Sequence, residues 1–585
     1  MTVEKLITDH IDIWSSALQT RSTAGRGSNG KIDLYGIKKL RELILELAVR
    51  GKLVPQDPND EPASELLKQI AKERNDLVKN KVIRKPKALE QIALANTPFD
   101  LPDGWEWCYL NDIGNWGAGA TPSRSNSKYY NGEIPWFKSG ELSSDFISDS
   151  EEKITELALQ ECSLRDNNVG DVLIAMYGAT IGKTSILNVR GTTNQAVCAC
   201  TPYSGISNVY LLTLLKAYKR IFIGMGAGGA QPNISREKLI ATVFALPPKA
   251  EQNRIICKVD ELMSLCEQLE QQSLTSLDAH QQLVETLLAT LTDSQNAEEL
   301  AENWARISLH FDTLFTTEAS IDTLKQTILQ LAVMGKLVPQ DPNDEPASEL
   351  LKRIEQEKAQ LVKEGKIKKQ KPLPPISDEE KPFELPKGWE WCKFGLLSEF
   401  INGDRGTNYP NKNEYVDSGI PWINTGHIEK DGTLTVSDMN YITQKKFDEL
   451  RGGKIQCGDL VYCLRGATFG KTSFVSPYKI GAIASSLMII RPFITQFGLF
   501  FYNYLTSPFG KSQVFRFDNG SAQPNLSANS VMLYAFPCPP LDEQLRIYNK
   551  VQELFGICES LKTNIQSTQQ TQLHLADALT EAALN

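Results

Sequence analysis

The sequence predicts an α+β protein in which two tandem mixed α/β domains are joined by long helices. Two observations lead to this prediction: a long string of residues occurs twice, and segments with helical periodicity alternate with short apolar runs. Residues 44–70 and 328–354 are identical at 24 of 27 positions, at an offset of 284. Chance cannot produce a match of this length, so the chain is one unit written twice.

Shorter strings extend the repeat downstream of these segments. The paired strings are Ile-Pro-Trp (134–136 and 420–422), Gly-Ala-Thr-x-Gly-Lys-Thr (178–184 and 466–472), Ala-Gln-Pro-Asn-x-Ser (230–235 and 522–527) and Glu-Gln-x-Arg (251–254 and 543–546). The stretches between them differ, namely 120–131 against 404–417, 143–168 against 429–456, and 185–227 against 473–519. One scaffold with two sets of loops predicts two related recognition events with different targets, and drift after duplication is the alternative.

Apolar spacing predicts the main elements of each copy. Residues 34–50 form an amphipathic helix that begins a helical hairpin, and the same hairpin returns at 322–363. The apolar runs at 172–177 and 460–464 predict buried strands. In the C-terminal tail, apolar residues from Ile547 to Leu579 follow steps of four and three, and the tail from Ile255 begins in the same way. This spacing predicts a coiled-coil seam, for which the tail of the other copy is the economical partner.

Composition narrows the possible classes of protein. The 585 residues are 41% hydrophobic and 23% charged, as in an ordinary globular protein, and no apolar run approaches the ~20 residues of a membrane span. The net charge is −9, but residues 251–320 alone carry 13 acids and 3 bases, so the rest is near neutral and a polyanionic partner is not excluded. Eleven cysteines without zinc-site spacing and a start without a secretory pattern predict reduced thiols, no metal and a cytoplasmic location.

Two strings imitate catalytic motifs and depart from them. Gly178–Thr184 has three residues between its glycines where a phosphate-binding loop needs four, so we interpret it as a tight turn. Phe222–Gly226 imitates the glycine loop of adenine methyltransferases, but no Asn/Asp-Pro-Pro-Tyr/Phe string accompanies it. We therefore expect no catalytic residues, and an NTPase or a stand-alone methyltransferase is disfavoured.

The variable loops instead carry side chains suited to nucleic acid. Arg and Lys can pair with guanine, and Asn and Gln can pair with adenine. The candidates in the first mixed domain are Arg124, Asn126, Lys128, Tyr129, Tyr130, Lys138, Asn194 and Gln195. Those in the second are Arg405, Asn408, Tyr409, Lys412, Asn424, His427, Lys445 and Lys446. Lys183 and Lys471 are candidate phosphate contacts, and for any single residue the alternative is a solvated loop side chain.

These strings together resemble the DNA-specificity subunit of type I restriction–modification systems. The resemblance covers essentially the whole chain, and it rests on Ile-Pro-Trp, Gly-Ala-Thr-x-Gly-Lys-Thr, Ala-Gln-Pro-Asn-x-Ser and tails that begin with Pro-Pro-x-x-Glu-Gln-x-Arg-Ile. The long leader, with Arg21–Gly27, resembles the enteric subfamily with an extended N-terminus.

The resemblance implies five regions. They are an N-terminal helical conserved region (1–98), target-recognition domain 1 (99–250), a central helical conserved region (251–382), target-recognition domain 2 (383–540) and a C-terminal coiled-coil helix (541–585). Each recognition domain would read one half of a bipartite, asymmetric site in double-stranded DNA. The helices would form an antiparallel coiled coil that sets the spacing between the half-sites.

The resemblance also implies partners and cofactors. Two modification subunits, which methylate adenine, would dock on the helices, and two restriction subunits would add translocation and cleavage. S-adenosylmethionine, ATP and Mg would then be bound by those partners, and this chain would bind no cofactor and no membrane. The alternative from another class is a duplicated, non-enzymatic scaffold that binds protein or RNA.

Overall fold

The structure is a computed structural model, and it describes residues 3–21, 31–93, 97–226, 232–365, 367, 369–429, 431–465, 469–517 and 526–584. Parts of four predicted strings lie outside the described residues: 22–27 of the leader, 230–231, 466–468 and 522–525. The described residues divide into two compact units. The first unit comprises residues 3–21, 31–275 and 569–584, and the second comprises the described residues of 276–568.

Among its described residues the first unit contains eight complete helices, the start of a ninth and twelve strands, and residues 569–584 of the last helix also belong to it. Its helices are α1 (Val3–Thr8), α2 (Ile11–Ser16), α3 (Tyr35–Val49), α4 (Ala63–Lys79), α5 (Glu156–Glu161), α6 (Asn208–Ala217), α7 (Lys219–Gly226), α8 (Arg236–Ile240) and the start of α9 (Lys249–Asp293). Its strands are β1 (Gln19–Arg21), β2 (Lys31–Asp33), β3 (Glu106–Tyr109), β4 (Gly114–Ala118), β5 (Tyr130–Phe137), β6 (Phe146–Ile147), β7 (Lys153–Ile154), β8 (Val172–Ala175), β9 (Thr184–Leu187), β10 (Thr192–Thr193), β11 (Val197–Pro202) and β12 (Val243–Leu246).

The second unit repeats this order, without counterparts of β1, β2 and β6 among its described residues. Its helices are α10 (Ala297–Leu309), α11 (Phe311–Leu314), α12 (Glu318–Val333), α13 (Ala347–Lys363), α14 (Gln444–Glu449), α15 (Phe497–Thr506), α16 (Pro508–Phe515), α17 (Ala528–Met532) and the start of α18 (Leu541–Leu584). Its strands are β13 (Glu390–Lys393), β14 (Ser398–Asn402), β15 (Ile420–Ile423), β16 (Asn440–Ile442), β17 (Leu460–Cys463), β18 (Thr472–Phe474), β19 (Ala482–Ile483), β20 (Leu487–Pro492) and β21 (Ala535–Cys538).

The sheets of the two units share one topology. The larger sheet has the order β4-β11-β8-β9-β6 in the first unit and β14-β20-β17-β18 in the second. A three-stranded sheet accompanies it, in the order β10-β5-β7 and β16-β15-β19, and each contains a parallel pair. The predicted α+β class with two mixed domains is confirmed by this arrangement.

The central strand of each larger sheet is buried on both faces. In β8, Val172 and Ile174 join the core that also contains the helices, whereas Leu173 and Ala175 join a second core that also holds Phe137 of β5. Strand β17 divides its residues between two cores in the same way. An uninterrupted apolar run is the expected signature of such a strand, which is why 172–177 and 460–464 were recognisable in the sequence.

A tight turn follows the central strand in both units. Gly182 and Gly470 adopt φ of +79° and +78°, in the left-handed region that favours glycine. The backbone N–H of Gly182 donates to Ala175 O at 3.0 Å, and that of Gly470 donates to Cys463 O at 2.8 Å. The second glycine of the repeated string is therefore required by the turn itself, in agreement with the interpretation of Gly178–Thr184 as a turn.

The two long helices bury the first part of the predicted seam, whereas Leu575 near its end is 45% exposed. Ile255, Val259 and Leu262 of α9 lie in the core of the first unit, and Ile547 and Val551 of α18 lie in that of the second. Residues 569–584 of α18 belong to the first unit, and residues 276–293 of α9 belong to the second, so the helices pass through the units in opposite order. Each core also includes a repeat helix, α3 or α12, so the seam packs in a helical bundle.

A buried glutamate at the start of each long helix ties three elements together. Glu251 accepts hydrogen bonds from Trp105 Nε1 (2.9 Å) and Gln56 Nε2 (3.2 Å). In the second unit Glu543 accepts from Trp389 Nε1 (3.0 Å) and Gln340 Nε2 (3.2 Å). Burial raises the pKa of both carboxyls. These contacts explain why the Glu-Gln-x-Arg string and the tryptophan that precedes β3 or β13 are repeated.

The arginine of the same string adds an ion pair. Both Nη atoms of Arg254 donate to the carboxylate of Asp60, at 3.2 and 2.5 Å, and Arg546 holds Asp344 at 3.1 and 2.5 Å. The loop that connects the two hairpin helices is thereby fixed to the start of the tail in both units.

The structure extends the repeat upstream of the strings found in the sequence. Ile7 and Ile307 are each 1% exposed, and His10 and His310 each precede the short helix α2 or α11. The offset here is 300, because strands β1 and β2 are inserted between α2 and α3 of the first unit. This shift in offset, together with low identity, hid the relation from the sequence search.

Candidate functional site

The loops at the end of the central strand are held by the same hydrogen bonds in both units. Met176 N donates to Ala196 O at 2.8 Å in the first unit, and Leu464 N donates to Ser486 O at 2.9 Å in the second. These bonds join the loop after β8 or β17 to the loop after β10 or β19. We call this arrangement the loop frame.

A second pair of bonds adds the loop that follows Ile-Pro-Trp. Asn194 N donates to Phe137 O at 3.0 Å, and Ala484 N donates to Ile423 O at 2.8 Å. The tryptophan of the repeated string is fully buried in both units, and Trp136 Nε1 donates to Ala120 O at 3.1 Å. The ends of β5 and β15 and the two loops described above therefore meet in each unit, although most of their side chains differ.

Three candidates of the first unit form one ionic cluster. Nη1 of Arg124 donates to Glu152 Oε2 at 2.6 Å, and Nζ of Lys138 lies 2.5 Å from Glu152 Oε1. The Arg124 guanidinium also lies over the rings of Tyr130 and Trp136, at 4.8 and 5.2 Å from their centroids. Arg124 and Lys138 lower the pKa of Glu152 to about 2, so this carboxylate is ionised at neutral pH and binds both cations.

Two more candidates lie on the loop frame of the first unit. Gln195 is exposed, and its Oε1 accepts a hydrogen bond from Thr121. Nζ of Lys183 donates to Gly140 O at 3.3 Å, in the loop that follows Lys138. Lys183, Gln195 and Lys138 therefore belong to loops that meet in the frame.

The remaining candidates of the first unit support their own turns. The side chain of Asn126 accepts from Lys128 N at 3.2 Å, and that of Asn194 accepts from Ala196 N at 3.1 Å. Tyr129 OH donates to Glu161 at 2.9 Å. The Lys128 side chain itself is exposed, so it is available to a ligand.

The candidates of the second unit are less clustered. Nζ of Lys446 lies 2.7 Å from Glu414, Asn408 Nδ2 donates to Glu449 O at 2.9 Å, and the ring of Tyr409 meets Trp422 edge-on. The exposed cationic candidates are Arg405, Lys412, Lys445 and Lys471. Hydrogen bonds from Asn411 N and then from Lys446 lower the pKa of Glu414, which is therefore ionised at neutral pH.

His427 differs from the other candidates because it is buried, with 5% exposure. Asn424 N donates to its Nδ1 at 3.1 Å, and the Asn424 side chain contacts its Nε2 at 3.2 Å. Burial lowers the pKa of His427 below its usual value, so the ring is neutral at pH 7. In this structure His427 is almost entirely buried and shapes the loop after β15 through its contacts with Asn424.

Sequence reasoning missed Glu152, which holds two of the candidates. No local signal marks this residue, since Arg124 and Glu152 are 28 positions apart and neither belongs to a repeated string. The contact arises because β7 pairs with β5 and brings the residue before β7 beside the loop after β4.

The described residues provide no metal site and no membrane span. No group of three His, Cys, Asp or Glu side chains could hold a metal ion in the part of the chain that the structure covers, and the eleven cysteines are free. Among the same residues, no helix is both long enough and apolar enough to cross a membrane.

Fold and site together define a duplicated recognition protein, with two mixed modules that present different loops on one frame. The family described as "Type I restriction modification DNA specificity domain" matches residues 102–279 and 386–568. These two matches cover more than half of the chain, which therefore belongs to this family. The chain is a DNA-specificity subunit, and it is not one of the catalytic subunits of its restriction–modification system.

Two relatives from Escherichia coli match the whole chain. The type I restriction enzyme EcoAI specificity subunit is 49% identical over 100% of both proteins, and the EcoEI specificity subunit is 47% identical over the same shares. A solved structure, the HsdS subunit from Thermoanaerobacter tengcongensis, is 16% identical and covers 84% of this chain and 99% of that chain, with a TM-score of 0.39. The resemblance to the enteric subfamily is confirmed by the two full-length relatives.

Proposed function

We propose that residues 99–250 and 383–540 each read one half of a bipartite, asymmetric site in double-stranded DNA. The observation that carries this proposal is the loop frame, which has the same backbone bonds in both units and different side chains. One frame suits one kind of ligand, here a stretch of duplex, and different side chains suit different base sequences. These two regions, with the three helical regions around them, form the proposed domain organisation.

The candidate side chains divide by whether they differ between the units. Lys183 and Lys471 occupy the same place in the repeated turn, so we assign them to phosphates, which are the same in every sequence. Arg124, Lys138 and Gln195 have no identical counterpart in the second unit, which supports a role in reading bases. The other candidates on the two sets of loops remain proposed DNA contacts, with His427 acting through the shape of its loop.

We propose that α9 and α18 set the spacing between the half-sites. Each helix is continuous and belongs to both units, which supports its role as a stiff connection. A helix of this length extends over roughly 65 Å at 1.5 Å per residue, which exceeds the ~34–36 Å between half-sites one helical turn apart.

A repeated exposed surface supports docking of one modification subunit on each unit. We call it the repeat strip: its exposed and identical pairs are Pro55/Pro339, Asp57/Asp341, Pro58/Pro342, Asn59/Asn343, Glu61/Glu345, Pro62/Pro346, Glu65/Glu349 and Lys68/Lys352. The identity begins inside α3 and ends inside α4, so it is not limited to a single element.

Two properties of the repeat strip favour a protein partner. Asp57 and Asp341 hold their own turns through hydrogen bonds from Asn59 and Asn343, but the strip as a whole is exposed in both units, and a contact made by both units would explain its identity. Carboxylates outnumber lysines, which disfavours DNA phosphates. Because the strip occurs once in each unit, we propose two modification subunits per chain, joined by two restriction subunits in the complete cytoplasmic complex. S-adenosylmethionine, ATP and Mg would act in those partners.

Exchange of one module tests the half-site assignment. Residues 99–250 are replaced by the corresponding segment of a specificity subunit with another target, and methylated adenines are mapped in a genome that carries the intact system. We expect one half of the target to change while the other half and the spacer stay the same. A change in both halves would refute independent reading.

A further inference from the structure

The second residue after the central strand of each larger sheet, β8 or β17, occupies one place in the loop frame and differs between the units. It is Tyr177 in the first unit and Arg465 in the second, each immediately before the repeated Gly-Ala-Thr-x-Gly-Lys-Thr string. Neither residue lies in the variable stretches found by comparing the two copies, because a repeated string follows each of them. The preceding strand residues, 172–176 and 460–464, also differ between the copies, and identity resumes only at Gly178 and Gly466.

The backbone before this position is fixed equally in both units. Met176 N donates to Ala196 O at 2.8 Å, and Ile234 N donates to Met176 O at 2.9 Å. In the second unit Leu464 N donates to Ser486 O at 2.9 Å, and Leu526 N donates to Leu464 O at 3.0 Å. Tyr177 and Arg465 therefore each follow a residue, Met176 or Leu464, whose backbone N–H and C=O are both hydrogen-bonded in the same way.

The side chains of Tyr177 and Arg465 are both exposed enough to contact a ligand. Tyr177 is a large aromatic residue that remains 37% exposed at the end of a fully buried strand. Arg465 is partly exposed, and its Nε is buried without a hydrogen-bond partner among the described residues. Arg491 of the neighbouring strand β20, in contrast, donates twice to Asp459, at 2.8 and 2.7 Å. Unlike Arg491, Arg465 is not held by a carboxylate of the described residues, so its partly exposed guanidinium is not committed to an ion pair there.

The same turn also contains a position at which the two units have the same residue. Lys183 and Lys471 follow six residues later and are identical, which suits a contact to the sequence-independent phosphates. Tyr177 and Arg465 differ, which suits a contact to bases. Arginine is the side chain that pairs with two guanine acceptors in the major groove, whereas tyrosine offers one hydroxyl and an apolar ring.

We propose that Tyr177 and Arg465 are specificity-determining residues at matched positions, each reading a base pair of its own half-site. Arg465 recognises a guanine, and Tyr177 makes a contact that does not require that base. This inference rests on the proposed function, in which each unit reads one half-site.

The test uses the full chain assembled with its modification subunits. Duplexes with randomised half-sites are bound by the complex, recovered and sequenced. With Arg465→Ala, the preference for guanine at one position of the second half-site is expected to fall about tenfold or more, while the first half-site is read unchanged. Arg465→Lys retains part of the preference, because lysine keeps the charge and loses the paired donors.

Tyr177→Ala is the matched variant, and it should relax one position of the first half-site only. The half-site read by the unchanged unit shows in each case that the complex is folded. The inference is overturned if both alanine variants leave every base preference unchanged, or if either variant weakens all sequences equally.

Lys183→Ala and Lys471→Ala, measured in the same assay, separate this inference from the proposed function. If these variants weaken binding to all sequences while Arg465→Ala keeps the guanine preference, only the specificity assignment fails. If no variant of these four changes DNA binding, the proposed surface itself is wrong.

Discussion

At the scale of single residues, the structure shows that two cationic side chains of the variable loops are already paired with a carboxylate of the same unit. Arg124 and Lys138 are both bound by Glu152, whose pKa of about 2 keeps it charged throughout the working pH range. DNA would have to compete with this carboxylate. In the proposed function, in which Arg124 and Lys138 contact DNA, Glu152 would limit how strongly the first unit binds any duplex and would favour sequences that supply contacts beyond charge.

Glu152→Gln should increase the affinity for DNA of any sequence. The substitution removes one negative charge and frees two cations, so binding should tighten several-fold at low salt, and the salt dependence should steepen by about one unit for each phosphate newly paired. Salt titration of the complex by fluorescence anisotropy measures both effects. Because the Glu152 carboxylate loses its charge only as the pH falls towards about 2, the difference from wild type should be constant between pH 6 and 8. Glu133→Gln, an exposed glutamate of β5, is the control, and an equal effect there would contradict the role of Glu152.

Lys183→Ala and Lys471→Ala should weaken binding to all sequences by similar factors. Each removes one proposed phosphate contact, so the slope of log affinity against log salt should fall by about one unit. Lys72→Ala, an exposed lysine of α4, provides the matched control. Unchanged affinity in both variants would leave these lysines without a role in DNA binding.

At the scale of elements, the sequence predicted what depends on local spacing. The amphipathic helix at 34–50 appears as Tyr35–Val49, and the apolar run from residue 460 appears as β17, because burial follows directly from the pattern of side chains. The convergence of three loops in the frame was not predictable. It depends on the pairing of β10 with β5 and of β11 with β8, which are contacts between distant residues.

The candidate site was predictable only as a set. Residue type and position in a variable loop selected Arg124 and Lys138, which the structure places together, but the same criteria selected His427, whose ring is buried. Residue type carries no information about burial in an irregular loop, because no period relates its positions. Tyr177 escaped selection because it adjoins a repeated string.

Trp105 and Trp389 precede the first strands of the two mixed domains, and we expect their substitution to destabilise the two units equally. Trp105→Phe removes the donor to buried Glu251, and Trp389→Phe removes the donor to Glu543, so each should lower the free energy of unfolding by roughly 1–3 kcal/mol. Urea denaturation followed by circular dichroism measures the loss. Trp304→Phe in α10, where the side chain is 38% exposed, should cost much less. A small effect at Trp105 together with a large one at Trp389 would contradict the equivalence of the two contacts.

At the scale of the whole molecule, the two copies differ at one proposed surface and agree at another. The loop frame keeps its backbone and varies its side chains, which suits two different DNA sequences. The repeat strip keeps its side chains, which suits one partner bound twice. A single chain can in this way present an asymmetric surface to DNA and a two-fold repeated surface to identical subunits.

Charge reversal on the repeat strip tests this division. Glu65→Lys should remove one modification subunit and leave one, and Glu349→Lys should do the same at the other unit, because each residue belongs to one copy of the strip. Native mass spectrometry of the purified complex measures the stoichiometry, with two subunits expected for wild type and none for the double variant. Asp76→Lys and Glu355→Lys place the same charge on α4 and α13 beyond the repeated string, and they should retain two subunits. Two subunits retained by the double variant would show that docking occurs elsewhere, whereas the loss of both from a single variant would show that the two sites are not independent.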